Sequence, residues 1–303
     1  MKMIARATRM GRILQSAALA LLLSACGGAG GPPPAVTTIP TGIYFGTGHF
    51  TGTQTINGFT SSFSTSPYVL GFVTSTGHYM LLSYSSGSPN VVRNIDSGSG
   101  SALNGLFTSG SNLSSWMYPS GIPIYDNQGG TLSSSFVLNA NATGQSMNGS
   151  IAYAGTQNAI LSFPLGYVGG DTTPATLSAI AKTYAGAFYA NINTSGDGNL
   201  PPLSSTFTIS PAGVLAGTVS CPLSSVSPPP GPQTPCTVSG SITARSDLNG
   251  YDVSISFANG SSTSFFSGFS GKTATGLGYY DSTSGNFMFG AIAPDNTTFA
   301  FSN

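Results

Sequence analysis

"CTVSGSITARSDLNGYDVSISF", residues 236–257, decides the fold class. Its second half alternates strictly: Tyr251, Val253, Ile255 and Phe257 are separated by Asp252, Ser254 and Ser256. Successive side chains of a strand point to opposite faces, so this segment is a strand with one apolar and one polar side. The first half repeats the arrangement, with Val238 and Ile242 sharing a face with Gly240 and Ala244. Between the two lies Asn249-Gly250, the pair a type I′ turn favours. Strand, tight turn and strand predict an antiparallel hairpin.

The same grammar extends in both directions. Phe207 and Ile209 alternate with Thr206, Thr208 and Ser210, Asn259-Gly260 offers a second turn pair, and "DSTSGN" (281–286) links Tyr279-Tyr280 to Phe287-Met288-Phe289. In the amino-terminal half, "YVLGFVTSTGHYMLLSY" (68–84) is two apolar runs around Ser75-Thr76-Gly77, and "TLSSSFVLNANATGQSMNGSIAYAG" (131–155) reads as a further hairpin. Composition agrees: the chain has no Glu and only eight Lys and Arg, so strong helix formers are scarce, while Thr, Tyr, Phe and Val suit a half-buried pleated surface. "TGIYFGTGHF" from Thr41 and "KTYAGAFYAN" from Lys182 each place Tyr, one residue, then Gly (Tyr44/Gly46, Tyr184/Gly186) at the head of a strand-rich stretch. This duplication predicts an all-β chain of antiparallel meanders forming two tandem lipocalin-like, up-and-down β-barrels, residues 41–168 and 182–303. The linker 169–181 has room for one helical turn after Pro174. One large sandwich of about 280 residues is the alternative.

The amino end carries Lys2, Arg6, Arg9 and Arg12 before the apolar stretch Ile13 to Leu23. That stretch is shorter than the roughly 20 residues a spanning helix needs, and the pattern is a secretory signal. Leu23-Ser24-Ala25-Cys26 resembles the bacterial lipobox. The resemblance implies a signal peptide over 1–25 and a diacylglycerol-modified, palmitate-bearing Cys26 as the first mature residue, and Gly27 in the next position points to the outer membrane. Several acyl chains anchor firmly where one is marginal. Residues 26–40, rich in Gly and Pro, then read as a tether that cannot bury enough apolar surface to fold.

With Cys26 assigned to lipid, Cys221 and Cys236 remain as a pair in an exported chain and are expected to form a disulfide. Between them "PLSSVSPPPGPQTP" holds six prolines in fourteen residues, which excludes a central strand and predicts an excursion stapled at its base. No C-x-x-C occurs, so no metal or redox site is expected there.

Charge narrows the partners. Four of the eight basic residues belong to the signal, leaving Arg93, Lys182, Arg245 and Lys272 against eight aspartates. There is no basic patch to follow a phosphate backbone, so no nucleic acid is expected. His49 and His78, in "TGHF" and "TGHY", read as polar strand-entry residues after a turn glycine. No G-x-S-x-G elbow is present, and no catalytic residue, cofactor or metal is assigned. "NTSGDGN" (193–199) echoes the start of a calcium loop but lacks its carboxylates and closing Glu. In "SSWMYPSG" (114–121), Trp116 and Tyr118 fall on one side of any strand and are the candidate ligand-binding pair, with core or barrel lid as the other reading.

The lipobox, the tether, "TYAG", the 236–257 stretch and "GYYDSTSGNFMFGAI" together resemble uncharacterised proteobacterial outer-membrane lipoproteins with tandem small β-barrels. These are similar in style to the barrels of transferrin-binding-protein-type surface lipoproteins. The charged, Glu-bearing motifs of the transferrin binders are absent, so their iron-protein binding is not carried over. The expectation is a non-catalytic binding or interaction module anchored at the outer membrane, recognising a protein, a glycan or a small apolar ligand. A structural envelope or matrix component is the alternative, and a hydrolase using His49 or His78 the third. A transmembrane barrel is disfavoured by the lipid anchor and the short strands.

Overall fold

A computed structural model of the 303-residue chain describes residues 39–56, 59–85, 91–103, 106–116, 134–139, 146–153, 157–168, 174–191, 202–222, 233–258 and 271–303. The fold is all-β: a closed eight-stranded antiparallel barrel and a curled half-barrel, both within one compact unit, Thr37–Asn303.

The half-barrel contains β1 (Gly42–Thr47), β2 (His49–Ile56), β3 (Phe59–Thr65), β4 (Tyr68–Val73), β5 (His78–Ser85), β6 (Val91–Leu103), β7 (Leu106–Trp116), β8 (Ser134–Asn139), β9 (Ser146–Tyr153) and β10 (Gln157–Tyr167). Here β1 and β2 are halves of one strand broken at Gly48. One edge runs along β10; the other pairs β1 with β4 and β2 with β3. β3 and β4 are likewise halves of one strand, broken at Ser66-Pro67, so the ten segments amount to eight strands. The sheet continues through β5, β6 and β7 on one side and β9 and β8 on the other, and β7 and β8 lie alongside each other.

A single helical turn, Leu177–Ile180, follows Pro174. The barrel is then a simple meander: β11 (Thr183–Asn191), β12 (Leu203–Ile209), β13 (Val214–Pro222), β14 (Gln233–Ala244), β15 (Tyr251–Phe257), β16 (Thr273–Asp281), β17 (Asn286–Ile292) and β18 (Thr298–Ser302). It closes by pairing β18 with β11. The alternation read in the sequence is the burial pattern observed, with β12 and β15 burying every second side chain. Eight strands leave an interior just wide enough for side chains to fill. Phe188, Phe207, Phe257, Phe289, Phe299 and Phe301 fill it, with ring centroids 4.9 Å apart for Phe257–Phe299 and 5.0 Å for Phe207–Phe301. The Cys221–Cys236 disulfide joins β13 to β14, its Cα atoms 5.8 Å apart and both residues buried.

The duplication has a shared piece of chemistry. Tyr44 on β1 and Tyr184 on β11 each bury the ring in their own sheet, and each hydroxyl donates to the carbonyl four residues back: Pro40 at 2.9 Å and Ile180 at 3.0 Å. Burial raises both phenols well above their ordinary range. The glycine two residues on lets the last strand, or the end of the chain, approach. A Cβ would stand 2.4 Å from the Pro164 carbonyl oxygen at Gly46 and 2.2 Å from that of Ser302 at Gly186. We expect Tyr44→Phe and Tyr184→Phe each to cost about 1 kcal/mol, since each strands a buried carbonyl. The double variant should cost about the sum in urea unfolding, because the sites share no partner.

One feature of the sequence explains how the sheets meet. The runs in β4, β5, β17 and β18 are apolar on both faces and buried on both. A strand wet on one side alternates, whereas a strand covered on both reads as a continuous apolar run. Their inner faces build the two separate cores. Their outer faces pack on each other: Leu70, Phe72, Met80 and Leu82 of the half-barrel form one buried cluster with Ala187, Tyr189, Met288 and Ala300 of the barrel.

One local expectation is corrected. A type I′ turn at Asn249-Gly250 needs both residues in the left-handed region; neither is there. A wider loop, Arg245 to Gly250, connects β14 and β15, closed by the Arg245 amide donating to the Gly250 carbonyl at 3.0 Å. The reason lies outside the hairpin: Leu248 is buried against the half-barrel cluster and Asp247 bonds to Ser75. By contrast, Asp281–Asn286 turns as read, with Gly285 at φ 74° and Asp281 accepting from the Thr283 amide. Asn259-Gly260 lies outside the described residues.

Candidate functional site

Where the two outer faces stop touching, they diverge and leave a cleft of about 1100 Å³ between β5–β6 and β14–β16. Its floor is the edge of the packed junction, Met80, Leu277 and Ile292. Its walls carry hydroxyls. Thr74, Thr76, Ser97 and Ser99 come from the half-barrel, and Ser241, Thr243, Ser254 and Thr275 from the barrel. Strand period explains the second group: these are the outward positions of β14, β15 and β16, whose inward neighbours Ile242, Val253 and Ala274 are core.

His78 enters this cleft because of the turn before it. Gly77 takes φ 80°, its amide donates to the Thr74 carbonyl at 2.9 Å, and the His78 amide donates to Thr74 Oγ1 at 3.1 Å. The strand therefore starts with His78 facing outward, toward the barrel. Its Nε2 lies 3.3 Å from Ser97 Oγ, and that hydroxyl donates to the Tyr79 carbonyl at 3.0 Å. Burial lowers the imidazole pKa, the Arg245 charge lowers it further, and Asp252 opposes them. His78 is therefore neutral around pH 7.

One rim is a clamp between the sheets. Asp247 Oδ2 accepts from the Ser75 amide at 2.8 Å and from Ser75 Oγ at 2.7 Å. Arg245 holds the same carboxylate with Nε at 2.8 Å and Nη2 at 2.9 Å, and its Nη1 reaches Asp252 at 2.5 Å. Burial opposes ionisation of Asp247, but the bonds from Arg245 and Ser75 outweigh it and hold the carboxyl well below the usual range. A carboxylate whose folded pKa is depressed stabilises the fold above its unfolded value, near 3.9, and loses that contribution as pH falls toward the folded value. Asp247→Asn is thus expected to cost about 1–2 kcal/mol at neutral pH, discounted for the exposure of the pair. The melting-temperature gap to wild type should narrow progressively below pH ~4.

The sequence-assigned residues fall elsewhere. Cys26 and Tyr118 lie outside the described residues, as do the 193–199 loop and most of the proline-rich excursion, while Trp116 ends β7 in register with Asn94. His49 and His78 both open strands after a glycine, β2 and β5. Only His78 reaches the cleft. No cluster of three or more His, Cys, Asp or Glu able to hold a metal occurs among the described residues. A second surface feature is the group Phe45, Tyr68 and Tyr84 at the other end of β5, with centroids 5.6–6.5 Å apart. These rings lie against one another, and burial with the neighbouring Tyr68, Tyr279 and Asp281 pushes the Tyr84 phenol up to about 12.

No protein-family model and no curated protein sequence matches the chain. Among solved structures it is similar to transferrin binding protein B from serogroup B Neisseria meningitidis, at 10% identity and a TM-score of 0.29, over 86% of this chain and 75% of that one. It is similar also to a mutant of transferrin binding protein B from Haemophilus parasuis Hp5, at 10% identity and a TM-score of 0.26, over 88% and 76%. A protein of unknown function from Nostoc punctiforme matches at 12% identity and a TM-score of 0.22, over 87% and 95%.

Proposed function

We propose that the chain is a lipid-anchored, non-catalytic binding module of the bacterial outer membrane, and that its ligand site is the cleft between the half-barrel and the barrel. The cleft is the observation that carries this reading. It is large, lined by outward hydroxyls over an apolar floor, and bridged at one rim by the Ser75–Asp247–Arg245 clamp. The barrel interior offers no comparable space, being filled by its own phenylalanines. Lipidation at Cys26 and the Gly/Pro tether after it supply the anchor and the reach.

The His78–Ser97 contact bears on the hydrolase reading. A nucleophilic serine gives its proton to the imidazole. Here Ser97 Oγ lies 3.0 Å from the Tyr79 carbonyl, which only accepts, and 3.3 Å from His78 Nε2, so the carbonyl competes with the imidazole for the serine's one proton at the shorter distance. That arrangement fits a hydrogen-bonding wall better than a reacting pair.

The test compares wild type, Cys26→Ser, Thr243→Trp and Ser99→Trp. Labelled palmitate should enter the wild type and both tryptophan variants, and not Cys26→Ser. On arrays of glycans and peptides, the wild type and Cys26→Ser should share a signal that both tryptophan variants lose. Signals that survive both cleft-filling substitutions contradict the reading.

A further inference from the structure

We infer that the cleft takes an uncharged, polyhydroxylated ligand, a neutral oligosaccharide. This rests on the reading of the cleft as the ligand site. Three observations point the same way. The first is the charge balance of the lining. Arg245 and Asp252 both reach the cleft, but they are bonded to each other, and the remaining fork of the guanidinium is spent on Asp247. An anionic ligand would find no cation to pair with unless it broke the clamp that joins the sheets, because the one guanidinium is already shared by two carboxylates. His78, kept neutral, adds none.

The second observation is the chemistry of the walls. Serine and threonine hydroxyls each donate and accept, as sugar hydroxyls do, and they can rotate to suit a partner. Opposed walls of such groups across an apolar floor match a sugar chain, which carries hydroxyls at its rim and C–H surfaces on its ring faces. At about 1100 Å³ the cleft is slightly larger than the roughly 300–1,000 Å³ of small-molecule pockets, which favours several sugar units over one. No Phe, Tyr or Trp lines it among the described residues, so affinity comes from hydrogen bonds and is modest.

The third observation excludes the competing polar ligand, an extended peptide. Peptides held by main-chain bonds add to an open strand edge. Every strand lining these walls is already paired on both sides: β5 with β4 and β6, β6 with β5 and β7, β14 with β13 and β15, β15 with β14 and β16, and β16 with β15 and β17. The cleft offers side-chain hydroxyls and no free ladder.

Calorimetric titration of the purified full-length protein in detergent tests this. The neutral probes are short malto-, laminari-, manno- and chito-oligosaccharides; the anionic probes are oligogalacturonate and a heparin oligosaccharide. The expected result is saturable binding of at least one neutral probe with an affinity that salt does not change, weakened about tenfold or more by Thr243→Trp and, independently from the facing wall, by Ser99→Trp. Both positions are exposed, so the substitutions fill space without entering a core. Binding of anionic probes alone, salt-sensitive and still blocked by the two variants, would keep the cleft as the site and overturn the neutral class. Binding that both variants leave intact would overturn the cleft itself. Failure of every neutral probe to bind would overturn the assignment.

Discussion

Leu82→Asp is expected to lower stability by about 4 kcal/mol or more, because it places an unpaired carboxylate in the junction between the sheets. Leu82 is fully buried in the cluster the two outer faces share, and it lies so close to β17 that a Cβ added at Gly290 would stand 2.7 Å from its Cδ2. For a chain of this size the loss amounts to roughly 10 °C in melting temperature. The near-ultraviolet signal of the tyrosine-rich junction should be lost before the far-ultraviolet signal of the strands. Leu103→Asp is the control: Leu103 is 59% exposed, and the same change there should move stability by no more than about 0.5 kcal/mol. Equal effects at the two positions would mean that the sheets do not pack through these faces.

The second large effect is at the disulfide. Replacing Cys221 and Cys236 together by alanine should cost about 3 kcal/mol, the chain-entropy value for a loop closed by residues 15 apart in sequence. Alanine avoids leaving a hydroxyl in the core that both sulfurs occupy. Reducing the wild-type protein should produce a loss of similar size, and reduction should leave the double variant unchanged. A wild-type protein whose melting temperature ignores reductant would contradict the pairing.

The barrel was legible in the sequence because strands such as β12 and β15 are wet on one side. Tyr251 to Phe257 and Thr206 to Ile209 alternate in letters as they alternate in burial, while Ser205 is a polar residue at a buried position of β12. The paired Tyr44 and Tyr184 stood out because each must fill a core with a ring and satisfy one hydroxyl locally, which constrains the residues around it. The junction was only half legible. The runs in β4, β5, β17 and β18 read as apolar strands, and their lack of alternation was the mark of a second covered face. Nothing local said which surface covers it, since that depends on contacts between residues as distant as Leu82 and Met288.

The cleft was not legible at all. Its walls use Ser and Thr, which this chain also uses at outward positions far from the cleft, so Thr243 and Thr275 carry no mark that separates them from Thr206 or Thr208. At its rim lies the 245–250 loop, "RSDLNG". There a basic and an acidic residue precede Leu248, in a chain with very few charges. Read as a plain Asn-Gly turn, it hid a contact between sheets that only long-range structure reveals.

The most direct measurement of the central claim does not depend on knowing the ligand: nuclear magnetic resonance mapping of a library of small polar fragments on the isotope-labelled protein. With only two histidines in the chain, the imidazole of His78 is a resolved reporter inside the cleft and that of His49 a control outside it. Fragment-induced shifts should gather on His78, Ser97, Thr243 and Thr275 and leave His49 unmoved. Shifts gathered instead on Phe45, Tyr68 and Tyr84, with His78 silent, would contradict it.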